Sequence, residues 1–179
     1  MLKLFSTLFL AGYMMFGLDF CTYKKVDLSG EDLSRKDLSN RVYKGSKFVK
    51  ADMKYSILNG SDFTGADLTG VNLSYSFLNG VTMNKAIVKD ASAFNTDFTD
   101  VEAKNVDFSG MDLTGAKFIN ADLTGAKFRN ANLTGAVFYG SDLTNTDFAG
   151  AIVNPQSLYD ARKLTNMILP YGNKYKNNK

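Results

Sequence analysis

A solenoid, a rod of short coils stacked on one another, is the fold class this chain predicts. Three observations predict it. Every fifth residue from Leu28 to Leu158, 27 positions in all, is apolar or Tyr. In a chain that is 45% hydrophobic, chance gives such a run at odds of roughly 10⁻⁹, so counting matches to a template decides the assignment. The residues around each ladder position follow a fixed grammar, A-(D/N)-(L/F)-(S/T)-G, clearest in Ala66–Gly70, Ala121–Gly125 and Ala131–Gly135. Finally, a strict five matches neither the 3.6-residue period of a helix nor the 2.0 period of a strand. A short fixed period marks a solenoid, and solenoids present extended surfaces.

Residues 1–20 stand outside this grammar. Lys3 precedes an uncharged, apolar run of 15 residues from Leu4 to Leu18, closed by Asp19. A basic start and an apolar stretch of this length have the shape of a secretory signal, and the run is short for a bilayer span. No A-x-A-like pair precedes Cys21, and Phe20 stands where a lipoprotein signal wants a small residue. Residues 1–20 are therefore read as a signal peptide or hydrophobic N-terminal segment. They place the protein outside the cytoplasm of a bacterial cell or tether it to a membrane; as a structural cap, they would leave it cytoplasmic.

In residues 21–153 the central Leu or Phe is labelled i. The small residue at i−2 shares the interior with it, and i−1, i+1 and i+2 face outward. Gly and Asn at i+2 tolerate the dihedral angles of a corner, so each pentapeptide makes one short face and one turn. In these residues, over about Cys21 to Val153, the chain resembles the pentapeptide-repeat family. The resemblance implies an all-β fold, a right-handed quadrilateral (four-sided) parallel β-helix in which four pentapeptides close one coil. About seven coils at the ~4.8 Å strand spacing would give a rod of about 33 Å.

With four faces, residues 20 apart stack. One face carries Leu28, Phe48, Leu68, Val88, Phe108, Phe128 and Phe148; the face opposite carries Leu38, Leu58, Leu78, Phe98, Phe118, Phe138 and Leu158. Ala93 and Ala103 fall opposite each other between Phe98 and Phe108, so the two rings are expected to fill that waist. Glu31, Lys36 and Arg41 occupy three successive i−2 places, where a buried charge would be costly, and predict a loose first coil whose corners reach water. The grammar stops at Asn154-Pro155, an N-cap followed by Pro at the first helical position. Residues 154–170 are thus expected to form a short C-terminal helical cap, which the family commonly carries, and the Lys-containing residues 171–179 a disordered basic tail.

Composition limits function. There is no His and one Cys, which removes Ser-His-Asp and Cys-His catalysis, His-ligated metals and multi-thiolate zinc. No nucleophile-plus-base pair, cofactor motif or metal-ligand spacing is present, so the chain is expected not to be an enzyme, with no cofactor. The net charge of +3 is unevenly spread, with seven bases and two acids from Arg35 to Lys54. These bases do not gather on one side of the rod, which argues against a nucleic-acid partner.

Two outer columns are candidate sites. Outside the Phe118 face, Ile57, Phe77 and Val137 fall at i−1 and Ile119, Tyr139 and Tyr159 at i+1, with Tyr75 at a nearby corner. Large apolar residues with no core to fill suggest a partner surface. Outside the Leu123 face, Asp62, Glu102, Asp122 and Asp142 form an acidic column broken by Val42 and Thr82. The first column supports a non-catalytic scaffold for protein–protein interaction, with homodimerisation through a solenoid face or the C-terminal cap as one form of it. The second supports a different reading, since some members of the family resemble B-DNA and bind DNA gyrase. Net positive charge and an export signal both weigh against that alternative.

Overall fold

The structure, a computed structural model, describes residues 25–176. The expectations for residues 1–20 and Cys21, and the last three positions of the tail, lie outside the described residues. Within them the chain is a four-sided coil. Parallel β-bridges join residues 20 apart, as in Asp27 with Lys47 and Lys47 with Asp67, and the same spacing recurs on all four faces. Each bridge is a single residue at i−1, followed by the buried i residue and a two-residue turn. The faces are too short for extended strands, because the corner arrives every fifth residue.

The backbone donors explain the five-residue grammar. The N–H of Leu28 (i) donates to the carbonyl of Lys47 at 2.8 Å and that of Gly30 (i+2) to Val49 at 2.9 Å. Lys47 (i−1) donates back to Val26 at 2.9 Å, and Glu31 closes the corner by donating to Leu28 at 3.2 Å. The residue at i+2 has positive φ, as at Gly30, Asn40 and Asn95, which is the sign pattern of a type II turn and the reason Gly or Asn dominates there. Four of the five N–H groups thus have backbone acceptors. The fifth, at i+1, is taken by the Asp or Asn side chain at i−1: Thr114 N–H donates to Asp112 Oδ1 at 3.1 Å, with the Thr114 hydroxyl on the same oxygen at 2.7 Å. The same contact recurs from Thr134 to Asn132 and from Thr124 to Asp122. The Asx column is therefore a structural element and not merely a solvated surface.

The i and i−2 side chains fill the interior. Phe98, Phe118 and Phe138 stack on one face with centroids 4.9 and 5.3 Å apart, and Phe108, Phe128 and Phe148 on the opposite face at 5.0 and 5.1 Å. The columns meet edge to face across the core, Phe108 and Phe118 at 6.0 Å. Ring stacking and ladder spacing nearly coincide, so a Phe repeated every 20 residues packs without distortion. At the waist, Ala93 and Ala103 are fully buried and the rings of Phe98 and Phe108 meet at 6.3 Å. Buried hydroxyls at i−2 are also satisfied: Ser61 and Thr96 donate to the carbonyls of Leu38 and Leu73 at 2.8 Å. At the N-terminal end, Lys36 and Arg41 are exposed and Glu31 half-buried, whereas later i−2 positions close over.

The C-terminal end differs from expectation. The only helix among the described residues, α1 (Pro155–Tyr159), is shorter than a cap over 154–170, although Asn154 caps it as expected by accepting from Gln156 N–H. The chain then returns to the ladder with one residue inserted, so Lys163 bridges Asp142 and Ile168 bridges Asp147 at a spacing of 21. Leu164-Thr165-Asn166 repeats the turn grammar, with Asn166 at φ 56°. The expected disordered tail is also corrected for residues 171–176. Lys174 pairs antiparallel with Ile168, Tyr175 N–H donates to Met167 at 2.7 Å, and the Tyr175 ring packs against the core. A reversed strand thus covers the terminal coil, a common way of blunting a sheet edge.

Replacing Phe98 by Ala should cost about 3–5 kcal/mol in denaturant unfolding; a near-neutral result would show that the waist is not filled by this ring. Asp112→Ala should cost about 1 kcal/mol by orphaning the Thr114 N–H, and Asp112→Asn far less, because the amide oxygen still accepts. Equal losses for the two substitutions would exclude the capping role.

Candidate functional site

The residues expected to form a partner face do lie on one side of the coil, but in two groups. Ile57 and Phe77 are bridge partners on adjacent coils, and Phe77 is 49% exposed. Next in that column come Asp97 and Lys117, whose side chains approach to 3.9 Å, and only then Val137. In the parallel i+1 column, Ile119 is half-buried and Tyr139 is 64% exposed. Tyr159 belongs to the end of α1, where its ring lies 6.0 Å from that of Tyr175. In the bridge column the stripe is therefore an early patch and a late patch separated by Asp97 and Lys117, with only the half-buried Ile119 between them in the neighbouring column.

The early patch is larger than the sequence reading made it. Tyr55 and Tyr75 stand at i+2, one corner away from Ile57 and Phe77, and their rings stack at 5.0 Å and 10°. Phe94 meets Tyr75 edge-on at 5.4 Å, and the Arg35 guanidinium lies 5.7 Å over the Tyr55 ring. Arg35, Tyr55 and Tyr75 have φ of 58°, 58° and 62°, the left-handed region in which Gly or Asn is the norm. Bulky residues there cost roughly 1–3 kcal/mol of local strain each. Tyr55 was missed because the grammar marks i+2 as a corner of no chemical interest. The available signal was the departure from Gly and Asn at three consecutive places of one column.

The acidic residues do share a column, with Glu102, Asp122 and Asp142 on successive coils. Their charge is largely engaged. Lys104 lies 3.0 Å from Asp122 and Lys163 2.9 Å from Asp142. Burial pushes the Asp122 carboxyl up, but hydrogen bonds from Thr124 and Lys104 outweigh it and hold the group below its ordinary value. Asp142 is balanced in the same way, burial being overcome by Thr144 and Lys163. The Lys104 ammonium is raised, chiefly by its hydrogen bond to Asp122. Asp62 caps the Thr64 N–H at 2.8 Å. Three of the four acids thus serve the coil's own backbone or its own cations.

Among the described residues no group of His, Cys, Asp and Glu is placed to hold a metal ion, and no helix is long and apolar enough to cross a membrane. The repeat model for pentapeptide repeats matches eight copies, over residues 46–84, 94–130 and 112–154. The chain belongs to the pentapeptide-repeat family. No curated protein matches it. Among solved structures it is similar to HetL, a pentapeptide repeat protein involved in heterocyst differentiation regulation from the cyanobacterium Nostoc, at 18% identity over 84% of this chain and 94% of that one, TM-score 0.42. A trypsin-treated form of QnrB1, a plasmid-mediated fluoroquinolone resistance protein, matches at 16% identity over 78% and 80% of the two chains, TM-score 0.48. A pentapeptide repeat protein from the Arabidopsis thaliana thylakoid lumen matches at 27% identity over 73% and 74%, TM-score 0.34.

The sign of the Asp122 shift sets a pH test. A carboxyl held below its unfolded value stabilises the fold above about pH 4 and loses that contribution as pH falls through its folded value. Both partners are partly solvent-exposed, so the contribution is small and weakened by salt. The melting-temperature gap between the native chain and Asp122→Asn should be present at pH 7 and shrink progressively as pH is lowered below about 4. A gap that persists in acid would show that charge pairing with Lys104 is not its source.

Proposed function

We propose that this protein is a non-catalytic scaffold, a right-handed coil that presents a rigid aromatic face to a protein partner. The observation that carries this reading is the stacked Tyr55–Tyr75 pair beside Ile57 and Phe77. Exposed rings held at strained corner positions contribute little to folding, and aromatic residues backed by Arg are the composition of interaction hot spots. Neighbouring corners of the same column use Asn95 and Gly115, so the coil itself does not require the rings. The apolar run in residues 1–20 supports export or tethering to a membrane. The alternative, a DNA-mimicking protector or inhibitor of DNA gyrase, draws on the ordering of Glu102, Asp122 and Asp142 in one column. Pairing of Asp122 and Asp142 with lysines weakens it, since a phosphate-like row needs free negative charge.

The test is site-specific photo-cross-linking in the native cells. A benzophenone side chain in place of Phe77 should give a discrete heavier adduct, and one in place of Lys44, exposed on a different face, should not. An adduct of twice the protein's mass would identify the partner as a second copy. Phe77→Ser combined with Tyr75→Asn should abolish co-purification of the adducted partner. Surface substitutions of this kind cost within about 0.5 kcal/mol each. Absence of an adduct at position 77, or equal labelling from both faces, would refute the proposal.

A further inference from the structure

Before α1 interrupts it at the C-terminal end, the ladder is broken at one step. On the Phe108 face, Asp67 bridges Ile87 and Asp107 bridges Lys127, but Ile87 and Asp107 form no bridge. Three hydrogen bonds that every regular step supplies are missing together. The N–H groups of Val88, Asp90 and Asp107 find no acceptor among the described residues, and the carbonyls of Ala86, Asp107 and Ser109 receive no donor. The adjoining bond, Lys85 N–H to Lys104, is stretched to 3.4 Å against 2.7–3.0 Å at most equivalent places. A cleft of about 540 Å³ opens there, lined by Lys85, Ile87, Val88, Lys89, Asp107 and Ser109, among others.

The break has a physical setting. Above it the core is filled by Leu68, Leu73, Leu78 and Met83; below it run the stacked Phe columns, with Val88 on one lip and Phe108 heading the column on the other. Two packing schemes meet on a coil that carries Ala93 and Ala103. What the opening offers is chemically specific. Each lip carries both unpaired N–H and unpaired C=O groups, the pattern that an extended peptide satisfies by β-pairing. Lys85 and Lys89 flank the cleft and form no ion pair among the described residues, and Ile87 beside it is 52% exposed. A nucleic-acid strand fits less well, because its phosphates could use only the donors and would leave the carbonyls of Ala86, Asp107 and Ser109 unpaired.

We propose that this break is a docking slot for an extended acidic segment of a partner protein, which pairs with the open lips and places its carboxylates on Lys85 and Lys89. The slot is independent of the aromatic face, so either site can fail without the other. Two measurements on the full chain test it. In amide hydrogen exchange followed by NMR, Val88, Asp90 and Asp107 should exchange at least about a hundredfold faster than Leu68, Gly70 and Lys127, their counterparts one coil away. Equal protection would show a closed ladder and overturn the proposal.

The second measurement uses random heptapeptides displayed on phage and selected against the full chain. Enriched peptides should be acidic, should protect the three amides when bound, and should lose at least tenfold in affinity on the double substitution Lys85→Glu with Lys89→Glu. Failure to enrich, or enrichment of peptides whose binding leaves those amides unprotected and ignores the charge reversal, overturns the slot. So does a single-stranded heptanucleotide that binds in their place and is lost on the same reversal.

Discussion

The structure depends on one constraint, that five backbone N–H groups must find acceptors in every five residues of a coil whose corners leave no long strand. Four are met by the parallel ladder and the turn. The fifth lies at i+1, where the chain is turning and no backbone carbonyl is in reach. A short Asx side chain two residues earlier meets it, which is why Asp or Asn, and not Glu or Lys, is the commonest choice at i−1. At three places where i−1 is not Asx the donor is recovered from the coil before: Lys104 N–H finds Asn84 Oδ1, Asn79 N–H finds Asn59 Oδ1 and Val49 N–H finds Ser29 Oγ. The side-chain pattern therefore follows from hydrogen-bond accounting as much as from hydrophobicity.

This accounting changes how the outer surface is read. A column of Asp residues looks electrostatic in a sequence, and in the coil it is mostly hydrogen-bonded to the coil's own turns. Conversely, a position that does nothing for the coil becomes informative. The i+2 corner asks only for tolerance of positive φ, so Tyr at 55 and 75 is a departure that folding does not explain. Strain without a structural return is the better indicator of function here, and negative charge the poorer one.

Much of the fold was legible in the sequence because the constraint acts on every repeat. The ladder from Leu28 onward, the four-face stacking and the burial of Phe98 beside Ala93 and Ala103 all follow from a period of five and a coil of 20. The far end was not legible for a definite reason. One residue inserted between Ile152 and Lys163 puts Leu164 and Leu169 out of phase with the earlier positions, so a pattern sought in strict register reads as helix. Tyr175 likewise looked like tail because its partner, Met167, lies across an antiparallel turn that no periodicity announces. The early aromatic patch was half legible: Phe77 and Ile57 stood out as apolar residues at outward places, whereas Tyr55 was hidden by the assumption that corners are inert.

The broken step at Ile87 and Asp107 lay furthest from sequence reasoning: residues 106–110 follow the grammar from Asp107 on and residues 86–90 keep only the small residue at i−2, yet nothing in either pentapeptide says that the two fail to pair. Its origin is relational. The Val88 coil closes regularly on the Leu68 coil and the Phe108 coil on the Phe128 coil, and the bridge is missing only where Val88 and Phe108 meet. Filling the waist with Phe98 and Phe108 keeps the interior dense, and dense packing leaves the wall as the place where the mismatch is relieved. An open ladder inside a rod differs from an open ladder at its end. The end can be covered by the protein's own chain, as Ile168 and Lys174 show, whereas an interior opening is flanked by fixed coils and keeps its donors and acceptors at defined positions. Such a site is preorganised by the same repeats whose regularity it interrupts, and preorganisation is what lets a short extended segment bind without ordering the surface it meets.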